Sequence, residues 1–152
     1  MLLNLTAVYG LRAMAVLAEL EPGESINADQ LSERTGVPRQ YLSKVMRKLV
    51  VARLVRGQRG RGGGFALQRP RSKIRLADVL AALDLEMKAG CAFDFEACDV
   101  HNPCTLHPIW SRLQESLATW TTKTTMADLG AAPKRGAPAV ASRRTGTRRR
   151  SD

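Results

Sequence analysis

Cys91, Cys98 and Cys104 fall within fourteen residues, and His107 follows three positions after the last of them. Thiolates with an imidazole nearby form a soft donor set suited to an iron–sulfur cluster or to zinc. The gaps of six and five residues differ from the two-residue loop usual in zinc ribbons. Wider spacing lets a loose loop wrap a cluster, so iron–sulfur is favoured, with zinc as the alternative. Unliganded cysteines are usually buried small hydrophobes, but Asp94, Glu96, Asp99, His101 and Asn102 make this segment polar and poorly suited to burial. If Cys104 opens a helix, His107 faces the same site one turn on. His101, Asp99 and a group from a second subunit compete for the fourth position. A metal-free thiol switch is the remaining use for such a set.

The rest of the chain must position these groups and supply what they control. Its charge points to an anionic polymer. The formal net charge is +10, and thirteen Lys or Arg residues lie between Arg34 and Ala77 with no Asp or Glu among them. A merely soluble surface mixes its signs. A second basic group, Lys134, Arg135, Arg143, Arg144, Arg148, Arg149 and Arg150, lies in a stretch of Ala, Pro, Gly, Ser, Thr and Arg without periodicity, where disorder is expected.

Apolar residues between Leu5 and Leu20 recur at helical steps, and Glu21-Pro22-Gly23 ends that helix. Asn27 stands where a helix N-cap belongs and Gly36 where a second, short helix closes. Pro38 opens a third, over Pro38 to Val51, with Tyr41, Leu42, Val45, Met46 and Leu49 inward and Arg39, Gln40, Ser43, Lys44, Arg47 and Lys48 on the opposite face. Two helices joined through Thr35-Gly36-Val37 make a helix-turn-helix. Leu54-Val55-Arg56 and Phe65-Ala66-Leu67, flanking the flexible run Gly57 to Gly64, read as a hairpin, that is, a wing. Its Arg59-Gly60-Arg61 tip joins guanidinium groups to backbone lacking Cβ atoms, suited to phosphates or a minor groove. A nucleotide-binding loop is a poorer fit, because no Gly-Lys-Ser/Thr opens a helix here.

Leu76 to Leu85 forms a further short helix. Beyond Cys104, Leu106, Ile109, Trp110, Leu113, Leu117 and Trp120, extended by Met126, fall on one helical stripe that needs a partner helix. A two-fold dimer would then offer two recognition helices to a palindromic operator in double-stranded DNA.

The expected fold is mainly α with a small β-hairpin wing: a winged helix-turn-helix plus a long C-terminal dimerisation helix. Its parts are a DNA-binding domain over 1–85, a cysteine-bearing cluster loop over 86–104, a dimerisation helix over 105–128 and a disordered basic tail over 129–152. The N-terminus lacks the basic region and cleavage site of a secretory leader, and no apolar run approaches the roughly twenty residues that cross a bilayer. A cytoplasmic protein without a membrane partner is the expectation. No nucleophile, base and acid set is present, so an enzyme is not expected.

In combination, Tyr9-Gly10-Leu11-Arg12, Tyr41-Leu42, the wing Arg59-Gly60-Arg61-Gly62-Gly63-Gly64-Phe65, Leu76-Ala77-Asp78-Val79 and the three cysteines resemble the IscR/NsrR-type family of winged-helix bacterial transcriptional regulators over residues 1 to about 126. The resemblance implies a homodimer whose cluster loop lies near the partner's DNA-binding domain, so that redox, nitric oxide or iron supply alters operator affinity through the cluster. It implies Cys91, Cys98 and Cys104 as ligands, with His107 in the place of the histidine that completes a 2Fe–2S cluster in IscR-like members. The acidic residue that completes the cluster in NsrR-like members is replaced by Val8, which favours 2Fe–2S over 4Fe–4S. Read from the residues themselves, the exposed face of the recognition helix, with Gln40, Ser43, Lys44 and Arg47 beside Arg39 and Tyr41, is expected to reach base edges or phosphates, a merely solvated face being the alternative, and Arg59, Gly60 and Arg61 of the wing are expected to join it. The first cysteine gap is one residue longer than the common five, and Arg61 replaces the proline frequent in the wing; neither removes a ligand.

Overall fold

The computed structural model describes residues 3–60, 62–85, 90–93 and 98–129. Arg61, the acidic pair Asp94 and Glu96, and the basic tail from residue 130 onward lie outside the described residues.

Helix α1 (Leu5–Ala18) begins at Asn4, whose side-chain oxygen accepts the Ala7 N–H at 2.8 Å. Its inward face carries Ala7, Gly10, Ala13, Met14, Leu17 and Ala18. The small residues on that face let the chain at Leu83 approach closely: a Cβ on Gly10 would lie 2.2 Å from a methyl of that buried leucine. Helix α2 (Ala28–Thr35) starts with the reciprocal cap of Asn27 and Gln30 and ends at Gly36, whose φ of 66° is left-handed. The turn to helix α3 (Arg39–Val51) is fixed by hydroxyls. Thr35 Oγ1 donates to the Leu31 carbonyl at 2.6 Å and accepts the Val37 N–H at 3.2 Å, while Ser32 Oγ donates to the Val37 carbonyl at 2.7 Å. Both helices therefore hold one mutual angle, as a helix-turn-helix requires.

Helix α3 buries Leu42, Val45, Met46 and Leu49 against α1 and α2. Tyr41 departs from the sequence expectation: it is half exposed, with its ring centroid 6.0 Å from that of Tyr9. Helical periodicity puts it at the edge of the apolar stripe, where an aromatic can lean on a neighbour while its hydroxyl stays wet.

Strands β1 (Val55–Gln58) and β2 (Gly64–Leu67) form the antiparallel wing, with Val55 opposite Leu67 and Gln58 opposite Gly64. A further rung ties the wing to the helices, because Ile26 and Phe65 exchange both backbone hydrogen bonds at 3.0 and 2.8 Å. After a single 3-10 turn at Arg71–Lys73 comes helix α4 (Leu76–Ala82), which buries Leu76, Val79 and Leu80.

The expected helix over 105–128 is divided in the structure. Helix α5 (His107–Lys123) stops at Thr124, whose backbone is extended, and a separate short helix α6 (Met126–Leu129) follows. Thr124 accepts the Leu76 N–H at 2.8 Å and Met126 donates to the Ile74 carbonyl at 2.9 Å. Met126 is thereby placed in the core at 0% exposure rather than on the α5 stripe, and the core extends beyond residues 1–85. Leu129, expected in the tail, ends α6. Helix α5 itself buries only Thr121, leaving Ile109, Leu113 and Trp120 exposed along one side. Among the described residues no helix is long and apolar enough to cross a membrane.

Candidate metal centre and nucleic-acid interface

Three thiols from residues far apart in the loop meet at the start of α5. The sulfurs of Cys91, Cys98 and Cys104 all lie within 4.8 Å of one another, and the Cys91 and Cys104 sulfurs are 3.6 Å apart. His107 joins them: its Nδ1 is 3.3 Å from Cys98 Sγ. Cys104 precedes the helix rather than opening it, and the link is the His107 N–H, which donates to the Cys104 carbonyl at 3.0 Å. The local backbone also serves the sulfurs, since the N–H groups of Cys104 and Phe93 point at Cys98 Sγ and Cys91 Sγ, each at 3.4 Å.

Asp99 shapes the turn between Cys98 and Cys104 by accepting the N–H groups of His101 and Asn102 at 2.7 and 2.8 Å. Those two donors, with a smaller contribution from the charge of His107, hold its carboxyl below the usual carboxylate range. Asp99 is thus engaged by the backbone and His101 is exposed, whereas His107 is the imidazole that meets a thiol. The Cys98 thiol feels opposing influences. The Cys104 N–H pulls it down most, but partial desolvation and the neighbouring thiols of Cys104 and Cys91 together push it up. A crowded, half-buried thiol such as Cys98, pushed toward its protonated form beside two others, is what a soft cation relieves, because it replaces the proton with positive charge. Three sulfurs and one imidazole nitrogen fit an iron–sulfur cluster or zinc.

The loop is attached to the rest of the molecule at points that spacing alone leaves hidden. The Trp110 indole N–H donates to the Gly90 carbonyl at 2.9 Å, next to Cys91. Upstream of the loop, Asp84 pairs with Lys48 of α3.

The face of α3 opposite the core is open. Arg39, Gln40, Tyr41, Ser43, Lys44 and Arg47 are all exposed. Arg39 pairs with Asp29 at 2.8 Å across a solvated gap, and the Ser43 hydroxyl donates to the Arg39 carbonyl at 3.0 Å. Exposed pairs of this kind contribute little and yield readily to a phosphate. Lys48, expected on this face, is turned toward Asp84 instead. Arg59 and Gly60 are exposed at the wing tip, where Gly60 has φ 99°, and Arg61 lies outside the described residues.

Residues 3–132 match the Rrf2 family, described as an iron-dependent transcriptional regulator. Two Mycobacterium tuberculosis proteins, each named as an HTH-type transcriptional regulator, are 34% identical over 137 residues, which covers 88% of this chain and 85% of theirs. Among solved structures, CymR, the global cysteine regulator of B. subtilis, superposes with a TM-score of 0.74 at 21% identity, covering 84% of this chain and 95% of that one. IscR of T. potens does so with a TM-score of 0.65 at 24% identity, covering 84% of each chain. At such identities the structures speak for the shared winged-helix fold.

Proposed function

Because the chain belongs to the Rrf2 family, it is a DNA-binding transcriptional regulator and not an enzyme, and we propose that an iron–sulfur cluster sets its operator affinity. The observation that carries this is the meeting of three thiols and one imidazole at the start of α5. Cys91, Cys98, Cys104 and His107 would hold the cluster. His107 in the place of the histidine of IscR-like members, with Val8 where NsrR-like members carry an acidic residue, favours 2Fe–2S over 4Fe–4S. When bound, the cluster supplies a centre that reacts with oxidants and nitric oxide and whose presence tracks iron supply.

The protein's own residues supply the coupling. Asp84 and Leu83 precede the cysteine loop; Asp84 pairs with Lys48 on α3, and Leu83 packs against Gly10 on α1. A change in the loop would therefore reach the recognition helix through the charged contact and α1 through the close-packed one. The exposed apolar side of α5, with Ile109, Leu113 and Trp120, is the proposed contact between two copies. Two copies would set two α3 helices into successive major grooves of a palindromic operator, about 34 Å apart. Arg39, Gln40, Tyr41, Ser43, Lys44 and Arg47 would then face base edges and phosphates, with Arg59, Gly60 and Arg61 on the adjacent backbone or minor groove. A reducing cytoplasm suits free thiols in this role.

The test is a visible absorption spectrum with iron and acid-labile sulfide analysis of protein purified without oxygen. Brown protein is expected, and Cys98→Ala should lose the chromophore while keeping its helical content. Protein that stays colourless after reconstitution and binds zinc instead would replace the cluster with a structural metal, leaving the DNA-binding role in place.

A further inference from the structure

Cys104 and Cys98 are tied to the start of α5 by short-range links: the Cys104 carbonyl accepts the His107 N–H, and Cys98 Sγ meets both the Cys104 N–H and His107 Nδ1. Cys91 stands thirteen residues before Cys104 and reaches the site from the far end of the loop. Such a segment is costly to hold in one place, because every ordered residue gives up backbone entropy.

The residue just before Cys91 is fastened from α5. Trp110 lies three positions after His107, so the two side chains leave the same face of the helix one turn apart. The sequence pattern puts Trp110 on the same apolar stripe as Ile109 and Trp120, yet those two are 72% and 53% exposed whereas Trp110 is half buried with its indole N–H on the Gly90 carbonyl at 2.9 Å. An indole has a single donor, and here it is spent on the cysteine loop.

We propose that Trp110 is the positioning residue for Cys91: its indole N–H holds Gly90 against α5, so that one helix face gathers both ends of the cysteine loop, Cys98 through His107 and Cys91 through Trp110. Trp110 acts through the backbone of Gly90 and not as a ligand. This inference rests on the proposed metal centre for its meaning but has consequences in the metal-free protein as well.

The experiment compares wild type and Trp110→Phe as full-length protein, with Cys98 and Cys104 as internal controls. Phe keeps the apolar ring and removes the donor. In metal-free protein, Trp110→Phe should raise the rate of Cys91 alkylation by iodoacetamide by about three- to tenfold, the scale of one lost hydrogen bond. Cys98 and Cys104 should keep their rates, and circular dichroism should show unchanged helix content. After reconstitution with ferrous iron and sulfide, Trp110→Phe should lose its visible absorbance to a chelator faster by a similar factor. A uniform rise at all three cysteines would mean general loosening and would overturn the assignment, as would unchanged Cys91 reactivity. If wild-type protein takes up no chromophore, the metal-centre reading fails by itself, and the alkylation pattern still decides the role of Trp110.

Discussion

A single arginine at the wing tip and a single tyrosine on α3 illustrate how differently side chains declare themselves. Arg59 is exposed, flanked by Gly60 at φ 99°, in a region whose sequence lacks acids for over forty residues. Its proposed role as a phosphate or minor-groove contact rests on composition and exposure. Replacing it with alanine should weaken operator binding and reduce the slope of log affinity against log salt by about one unit. Fluorescence anisotropy titrations at several salt concentrations would check this, and unchanged affinity across them would remove the wing from the interface. The three cysteines were equally legible, because crowded thiols in polar surroundings have few other uses. Tyr41 was not, since a stripe defined by period has soft edges and only its neighbour Tyr9 decides where the ring rests. Trp110 was less legible still: its partner Gly90 is twenty residues away, and no local pattern encodes a bond over that distance.

At the scale of elements, the features readable from sequence were those with local causes. The Asn27–Gln30 cap, the left-handed Gly36 and the α3 burial pattern all arise from contacts within a few residues. The rung joining the wing to the α1–α2 loop has no such cause, yet it explains one glycine. A Cβ on Gly64 would lie 2.6 Å from the Ile26 carbonyl oxygen, which belongs to the backbone and cannot swing away. Gly64→Ala should therefore push Ile26 and Phe65 apart and destabilise the protein by about 1–3 kcal/mol, as overpacking does. Urea unfolding would measure it; wild-type stability would show that the rung is dispensable. The division of the expected 105–128 helix belongs to the same class. Met126 has the spacing of the α5 stripe, but Ile74 and Leu76 offer backbone partners that draw the chain off the helix axis and into the core.

For the molecule as a whole, this return of the chain means that the winged-helix core is assembled from both sides of the cysteine loop. Met126 shares a core with Met14, Leu17, Ile74 and Leu76. Met126→Ala should cost about 2–5 kcal/mol, a full core-cavity penalty, although it lies outside the stretch that reads as the DNA-binding domain. Thermal or denaturant unfolding would test this, and a loss below 1 kcal/mol would mean that α6 is an ornament on a core complete without it. The Leu76–Thr124 hydrogen bond, with its partner at Ile74 and Met126, closes the whole excursion from α4 through α5 at its base. In polymer terms this excursion is a closed loop whose ends are pinned, and the closure penalty of a flexible loop grows only logarithmically, by about 0.6 kcal/mol for each doubling of length. The additional residue between Cys91 and Cys98 is therefore almost free to the fold. Loops of different length and cysteine spacing between α4 and α5 should therefore leave the packing of α1 to α4 undisturbed, because both ends are pinned at this closure point.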